Sequence, residues 1–308
     1  NLDNFINGNE SQKKSFVKNL GEAYEEIGFV AIENHGLTDE LTNSLYKEVK
    51  KFFHLQDKIK FKYERPELNG QRGYISFGRE TAKGSTKSDL KEFWHFGQEL
   101  EKNDPLSKEY EPNIFCEELP NFNKVGRETF KILEKTGVSI LQALALHLGI
   151  EENYFDNKVK GGNSILRAIH YPPITSAPKG AVRAAAHGDI NLITILMGAS
   201  AKGLEIQTRK GDWIAVTALP KQVIVNIGDM MSRLTNDKLH SSIHQVTNPP
   251  KEEWGTSRFS IPFFMHPRSE MSLNCLDSCI SYENPKKYPD ITAGEFLEQR
   301  IKELGLKK

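Results

Sequence analysis

The chain has 308 residues, of which 38% are apolar, and its 41 basic and 41 acidic side chains cancel. A chain of this length can bury a large core without covalent staples, and with no net charge and no like-charge block it carries no electrostatic footprint for nucleic acid or an anionic membrane. Three cysteines, Cys116, Cys275 and Cys279, are too few and odd in number for a disulfide framework, and no apolar run approaches the roughly 20 residues of a membrane span.

In chain order, residues 11–27 place Phe16, Leu20, Ala23, Tyr24 and Ile27 on one helical stripe. Gly28 ends that pattern, FVAI (29–32) reads as a short buried strand, and Asn34-His35-Gly36 makes the turn. A second amphipathic helix turns Leu41, Leu45, Val49, Phe52 and Phe53 inward. Residues 61–91, polar and rich in Gly, Ser, Thr and Lys, are expected to be surface loops. A long helix from about 121 to 149 carries Phe130, Leu133, Ile140, Leu141, Leu144 and Leu148. Between Gly161 and about Cys275 the character changes to short β-rich runs: SILRAIHY, NLITILM, LEIQ, WIAV, QVIVNIG, SSIHQV and SRFSIPFF. Gly, Pro and Asn/Asp signals separate them, and such spacing indicates a sandwich or barrel rather than βαβ units. Residues 292–305 form a last helix. The expected fold is mainly β with flanking helices, divided into a mixed α/β region (1–115), a long linking helix (116–160) and a β-core with its closing helix (161–308).

The chemistry concentrates in AAHGDINLITIL (185–196). His187 and Asp189 are two apart at the start of a strand-like run, and alternation with period two would point both to one side. An imidazole and a carboxylate converging there supply two-thirds of a facial metal triad; alone, the same pair also describes a solvated turn. The third ligand must come from a distant strand, and the downstream candidates are His240, His244 and His266. His244 sits in the β-like SSIHQV; His240, in the polar NDKLH, reads as a surface residue, and His266, before a proline, as a structural one. Two histidines and a carboxylate leave three adjacent positions of an octahedral ion open, as Fe(II) needs for O2 and a bidentate co-substrate. Zinc would accept the same ligands but has no redox chemistry. Arg258-Phe259-Ser260 follows inside the apolar run FSIPFF, with Arg258 and Ser260 on one face. A guanidinium beside a hydroxyl is a carboxylate clamp, and an Arg in so apolar a strand wants an anionic partner. An internal Asp or Glu, or an exposed strand edge, would also satisfy it. Cys275 and Cys279 read as inert thiols rather than a metal clip.

With these residues the sequence resembles the isopenicillin N synthase-like group of Fe(II)/2-oxoglutarate-dependent dioxygenases over nearly its whole length. GFVAIENHG (28–36), FFHL (52–55) and Gly73-Tyr74 are similar to the group's N-terminal domain. HYPP (170–173), HGDINLITIL (187–196), GLEIQ-TRKGDW (203–213), VIVNIGD (223–229), HQV (244–246) and RFS (258–260) follow the catalytic domain in order, and YPDITAGEFLEQRI (288–301) resembles the C-terminal helix of bacterial members. The resemblance implies a double-stranded β-helix, or distorted jelly roll. It implies iron on His187, Asp189 and His244, and 2-oxoglutarate gripped at its distal carboxylate by Arg258, Ser260 and the hydroxyl of Tyr171. It also implies O2-dependent oxidation, hydroxylation above all, of a small molecule with release of succinate and CO2. The alternative within the group is an iron oxidase of the isopenicillin N synthase type, which needs no 2-oxoglutarate; a non-catalytic jelly-roll binder would have lost the triad or the clamp. Substrate contacts are expected from Tyr74, Phe93, Trp94 and Phe263, with Arg183 for an anionic substrate; core packing is the competing reading for the aromatics, and an exposed loop charge for Arg183. Ile169 stands where many plant members have Asn, Gln245 where Arg is usual, and His35 matches a structural turn. No nucleic-acid or membrane partner is expected, and the reducing cytoplasm is the expected compartment. Oligomeric state leaves no signal in the sequence.

Overall fold

The computed structural model describes residues 1–68, 70–80, 87–101, 103–176, 180–198 and 202–303. Asn9 opens the helix Glu10–Glu26 through a capping box, its side chain accepting from Gln12 N at 3.0 Å while the Gln12 side chain accepts from Asn9 N at 2.9 Å. Phe16, Leu20 and Tyr24 are buried along it, but Ile27 lies past its end and is 42% exposed. Gly28 turns the chain at φ +79°, where a Cβ would sit 2.2 Å from the His240 carbonyl, so only glycine fits. The helix Asp39–Phe53 is capped by Thr38, which accepts from Leu41 N at 3.1 Å. The helix Pro120–His147 has Pro in its first turn and ends at Gly149, φ +71°, the usual asymmetry of helix ends. Among the described residues no helix is long and apolar enough to cross a membrane.

Among the described residues eleven strands form the β-sheets: β1 (Phe29–Glu33), β2 (Gly73–Ile75), β3 (Glu92–Gly97), β4 (Ile165–Tyr171), β5 (Ala184–His187), β6 (Ile193–Met197), β7 (Leu204–Gln207), β8 (Trp213–Ala215), β9 (Gln222–Ile227), β10 (His244–Val246) and β11 (Arg258–Met265). They pair antiparallel in a seven-stranded sheet, β1-β9-β6-β11-β4-β3-β2, and a four-stranded sheet, β5-β10-β7-β8. Both sheets line one central cavity, the arrangement of a jelly roll. The helix Pro120–His147 covers the other face of the larger sheet, with Phe130 edge-on to Phe263 at 5.1 Å. At Gly137 a Cβ would meet Met265 Sδ at 2.3 Å and at Gly126 the Phe96 ring at 2.4 Å, so small residues let helix and sheet approach closely. Along β11 the pleat sorts the side chains: Phe259, Ile261, Phe263 and Met265 join the main core, while Arg258, Ser260, Pro262 and Phe264 line the cavity.

The described parts of segment 61–91 (61–68, 70–80 and 87–91) depart from the expected surface loop; residues 69 and 81–86 lie outside the described residues. Tyr63, Arg72, Asp89 and Lys91 are buried, and β2 and β3 extend the larger sheet past β4. The polar character that suggested solvent is instead paired internally, Lys91 Nζ lying 2.8 Å from Asp89 and 2.7 Å from Glu80, and the flanking Lys60 Nζ lies 2.8 Å from Glu92. Buried charges persist when paired in this way. Through β1, β2 and β3, residues 1–115 thus contribute strands to the same sheet as the β-core.

Candidate active site

His187 ends β5 and His244 opens β10, and the two are directly opposed across that antiparallel pair. Their rings lie 4.4 Å apart. Asp189 is not on the strand of His187, as the period-two reading supposed. It follows in the turn toward β6, beyond Gly188, and its Oδ1 reaches to 4.0 Å from His187 Nε2 and 3.8 Å from His244 Nε2. The three are the only cluster of metal-ligating groups among the described residues, with ligand atoms all within 4.8 Å of one another. At metal–ligand distances of about 2.0–2.2 Å, neighbouring donors stand about 3 Å apart, so the two His–Asp pairs would close by roughly an ångström around an ion.

The surroundings orient every donor. His187 Nδ1 donates to the Ala185 carbonyl at 2.7 Å, and His244 Nδ1 faces the Ser242 carbonyl at 3.3 Å, leaving both Nε2 atoms to the site. The second oxygen of Asp189 accepts from Thr194 Oγ1 at 2.7 Å and Asn226 Nδ2 at 2.8 Å, so Oδ1 alone is presented. Thr194 and Asn226 are register partners on β6 and β9, both buried. Burial pushes the His187 imidazole down to about 4, aided by the His244 charge. Burial alone would raise the Asp189 carboxyl; the two imidazoles and the hydrogen bonds from Asn226 and Thr194 outweigh it and hold the carboxyl low. A neutral imidazole and an ionised carboxylate are the forms a metal binds. Two nitrogens and one oxygen on one face, with cavity opposite, fit Fe(II).

The candidate clamp stands on the facing sheet. Arg258 on β11 is the register partner of Tyr171 on β4, and Ser260 that of Ile169. All four line the cavity with the triad. Arg258, Ser260 and Tyr171 are buried, and the guanidinium lies 5.0 Å over the Tyr171 ring. Gln245 points elsewhere, donating to its cross-strand partner Glu205 at 2.9 Å.

Two further cavities, of about 320 and 540 Å³, share Arg167 with the central one and with each other. The first meets the triad at His187 and Asp189, beside Lys91, Phe264, His266 and Arg300; the second is lined in part by Tyr74, Phe93 and Leu297. The Arg167 guanidinium is held 4.3 Å over Phe93 and 5.0 Å over Phe264, and its Nε donates to His95 Nε2 at 2.6 Å. Of the residues expected to meet substrate, Phe93 lies on these walls, and Tyr74 borders the second cavity while packing into the main core against Phe52 at 5.8 Å. Trp94 and Phe263 do not line them: the pleat turns both into the main core, Trp94 against Phe52 at 4.8 Å and Phe263 against Phe130. The cavity-facing neighbour is Phe264, which the alternation that separates Arg258 from Phe259 assigns once it is carried four residues further along β11. Arg183 is not an exposed loop charge; it is 2% exposed and donates to the Thr256 carbonyl at 3.0 Å. His35 packs away from the triad, its carbonyl accepting from Thr136 at 2.6 Å. His240, Cys275 and Cys279 stand outside the ligand cluster. Thr194 and Asn226 escaped the sequence reading, although Asn226 in the apolar run VIVNIGD carried a signal: a buried amide must find partners. A further concavity, about 940 Å³ beside Gln98, Glu99, Arg127 and Lys131, contains none of this machinery.

Residues 1–118 match the family described as non-haem dioxygenase in morphine synthesis N-terminal, and residues 162–267 match the 2OG-Fe(II) oxygenase superfamily. The chain is 31% identical to proline hydroxylase buaE of Petromyces alliaceus, over 96% of each chain. It is 28% identical to the 2-oxoglutarate-Fe(II) type oxidoreductase hxnY of Emericella nidulans, over 97% of this chain and 87% of the relative. Among solved structures, a 2OG-Fe(II) oxygenase family protein from Caulobacter crescentus superposes with TM-score 0.86 at 41% identity, covering 94% of both chains. A full-length Neurospora crassa protein solved in complex with alpha-KG and thymine superposes with TM-score 0.86 at 30% identity, covering 98% of this chain and 95% of the other.

Proposed function

Because this chain belongs to the 2OG-Fe(II) oxygenase superfamily, an oxidoreductase family that uses iron and 2-oxoglutarate, we propose that it hydroxylates a small molecule with release of succinate and CO2. The observation that carries this reading is a single cavity whose walls hold both His187, Asp189 and His244 and, on the facing sheet, Tyr171, Arg258 and Ser260. His187, Asp189 and His244 are the metal ligands of the proposal. Iron, when bound there, supplies the oxidation by O2: one oxygen atom enters the substrate C–H bond and the other enters succinate as 2-oxoglutarate loses CO2. Arg258, Ser260 and the Tyr171 hydroxyl hold the distal carboxylate of 2-oxoglutarate, a charge-assisted fork that fixes the orientation of the acid. Thr194 and Asn226 hold the Asp189 carboxylate in its ligating rotamer. The substrate occupies the adjoining cavities, along Phe264, Arg167 and His266. The named relatives lend no support to the 2-oxoglutarate-independent alternative.

The test is an anaerobic titration of the Fe(II) protein with 2-oxoglutarate. A saturable visible absorption band is expected, abolished by Asp189→Ala and shifted to higher 2-oxoglutarate concentration by Arg258→Ala. Admitting O2 should then release one succinate per 2-oxoglutarate consumed. Thymine, found with the Neurospora crassa protein, and proline, from the name of the hydroxylase, are the first substrates to screen. Absence of the band, or O2 uptake that proceeds without 2-oxoglutarate, would overturn the proposal.

A further inference from the structure

Arg183 is among the largest fully buried side chains, yet no carboxylate of the described residues lies within ion-pair distance of it. Its Nη2 donates to the Thr256 carbonyl at 3.0 Å and its Nε is buried without a hydrogen-bond partner. Its guanidinium lies 6.0 Å from the centre of the Tyr171 ring, the same ring that Arg258 covers at 5.0 Å. Two guanidiniums thus gather at one buried tyrosine. A buried cation with no carboxylate in ion-pair contact is costly, and its cost falls when an anion arrives. Burial and then the neighbouring Arg258 depress the Arg183 pKa, against opposing pulls from Tyr171 and Glu253. Arg183 immediately precedes β5, four residues before His187, while Thr256 stands two residues before Arg258 at the entry to β11. The Arg183–Thr256 hydrogen bond therefore ties the strand that ends at His187 to the strand that begins at the clamp.

We infer that Arg183 is a positioning residue of the co-substrate pocket: it fixes the turn that delivers Arg258 and adds a second positive charge behind Tyr171. Its charge thereby adds to the hold that Arg258 has on the distal carboxylate. This rests on the assignment of Arg258 to that carboxylate. A monoanionic 2-oxo acid brings no negative charge to this end of the pocket and leaves Arg183 uncompensated.

The experiment is calorimetric binding to the Mn(II)-loaded protein, which does not turn over, using 2-oxoglutarate and 2-oxobutyrate as the dianionic and monoanionic acids. Arg183→Met should weaken 2-oxoglutarate binding at least about tenfold, a charge–charge effect across several ångströms. It should change 2-oxobutyrate binding by less than about twofold and leave Mn(II) affinity in place. Arg183→Lys, which keeps the charge but loses the fork, should recover most of the loss, and the effect of Arg183→Met should shrink as salt is raised. Wild-type affinity for 2-oxoglutarate in Arg183→Met, or equal losses for the two acids, would overturn the inference, the second result marking a merely structural residue. Should Arg183→Met fail to fold, Arg183→Gln replaces it against Arg183→Lys, and equal weakness of the two refutes the charge role. Arg258→Met separates the premises: if it too binds 2-oxoglutarate normally, the clamp assignment itself fails.

Discussion

Thr194→Val removes one hydrogen bond from the Asp189 carboxylate with almost no change of shape. Thr194 Oγ1 donates to Asp189 Oδ2 at 2.7 Å, and Asn226 Nδ2 donates to the same oxygen at 2.8 Å. Valine fills the same volume on β6, so no cavity opens, and Asn191, which also donates to the hydroxyl at 3.0 Å, keeps its bond to the Ile193 carbonyl at 3.0 Å. The perturbation therefore falls mainly on the carboxylate. A hydrogen bond to a charged group contributes about 1.5–3 kcal/mol, and Asn226 still holds the oxygen, so the lower end applies: metal affinity should fall about tenfold. Asn226→Ala alone should act similarly, and the double variant should lose more than the sum, because only then is the carboxylate free to rotate away from the two Nε2 atoms. The measurement is a Mn(II) or Fe(II) dissociation constant by chelator competition, with circular dichroism confirming an unchanged fold. Equal affinity in wild type and Thr194→Val would refute the view that these two donors preorganise the ligand.

Arg258→Ala should raise the 2-oxoglutarate requirement by about 1.5–3 kcal/mol, roughly 10- to 150-fold, measured as an apparent KM. Phe263→Ala should cost about 3–5 kcal/mol of stability by emptying core beside Phe130. Phe264→Ala should spare the melting temperature by comparison and change substrate KM, since its ring lines the cavities; equal effects on stability would contradict the sorting of β11. Burial holds His266 down to about 4, against about 6.5 in the unfolded chain. Between those values the unfolded state binds a proton the folded state refuses, so stability is complete above about pH 6.5 and falls toward pH 4, by roughly 3 kcal/mol in all. His266→Phe should flatten that acid slope by about one proton in denaturant melts of the metal-free protein, and an unchanged slope would assign the loss elsewhere.

What could be read from the sequence was whatever depended on local alternation. Period two in FSIPFF separates Arg258 and Ser260 from Phe259, and the pleat of β11 follows it through Phe264. Applied one step further it would have excluded Phe263 from the cavity, and on β3 it places Trp94 with Phe96 in the core and Phe93 with His95 on the cavity wall. What escaped depended on pairing between strands. His187 meets His244 because β5 and β10 are in register. Asp189 reaches both because the chain leaves β5 at Gly188, so a turn gathers the three rather than alternation along one strand. Tyr171 faces Arg258, and Thr194 faces Asn226, for the same non-local cause. The polar segment 61–91 misled because Lys91, Asp89 and Glu80 neutralise one another inside the fold, and composition cannot distinguish a charge paired in the interior from one in water. The consequence is uneven. The triad and clamp are carried by short motifs, whereas the walls around Arg167 draw on β3, β4, β11 and the helix Ala293–Glu303, so substrate choice is written in contacts that only the folded chain assembles.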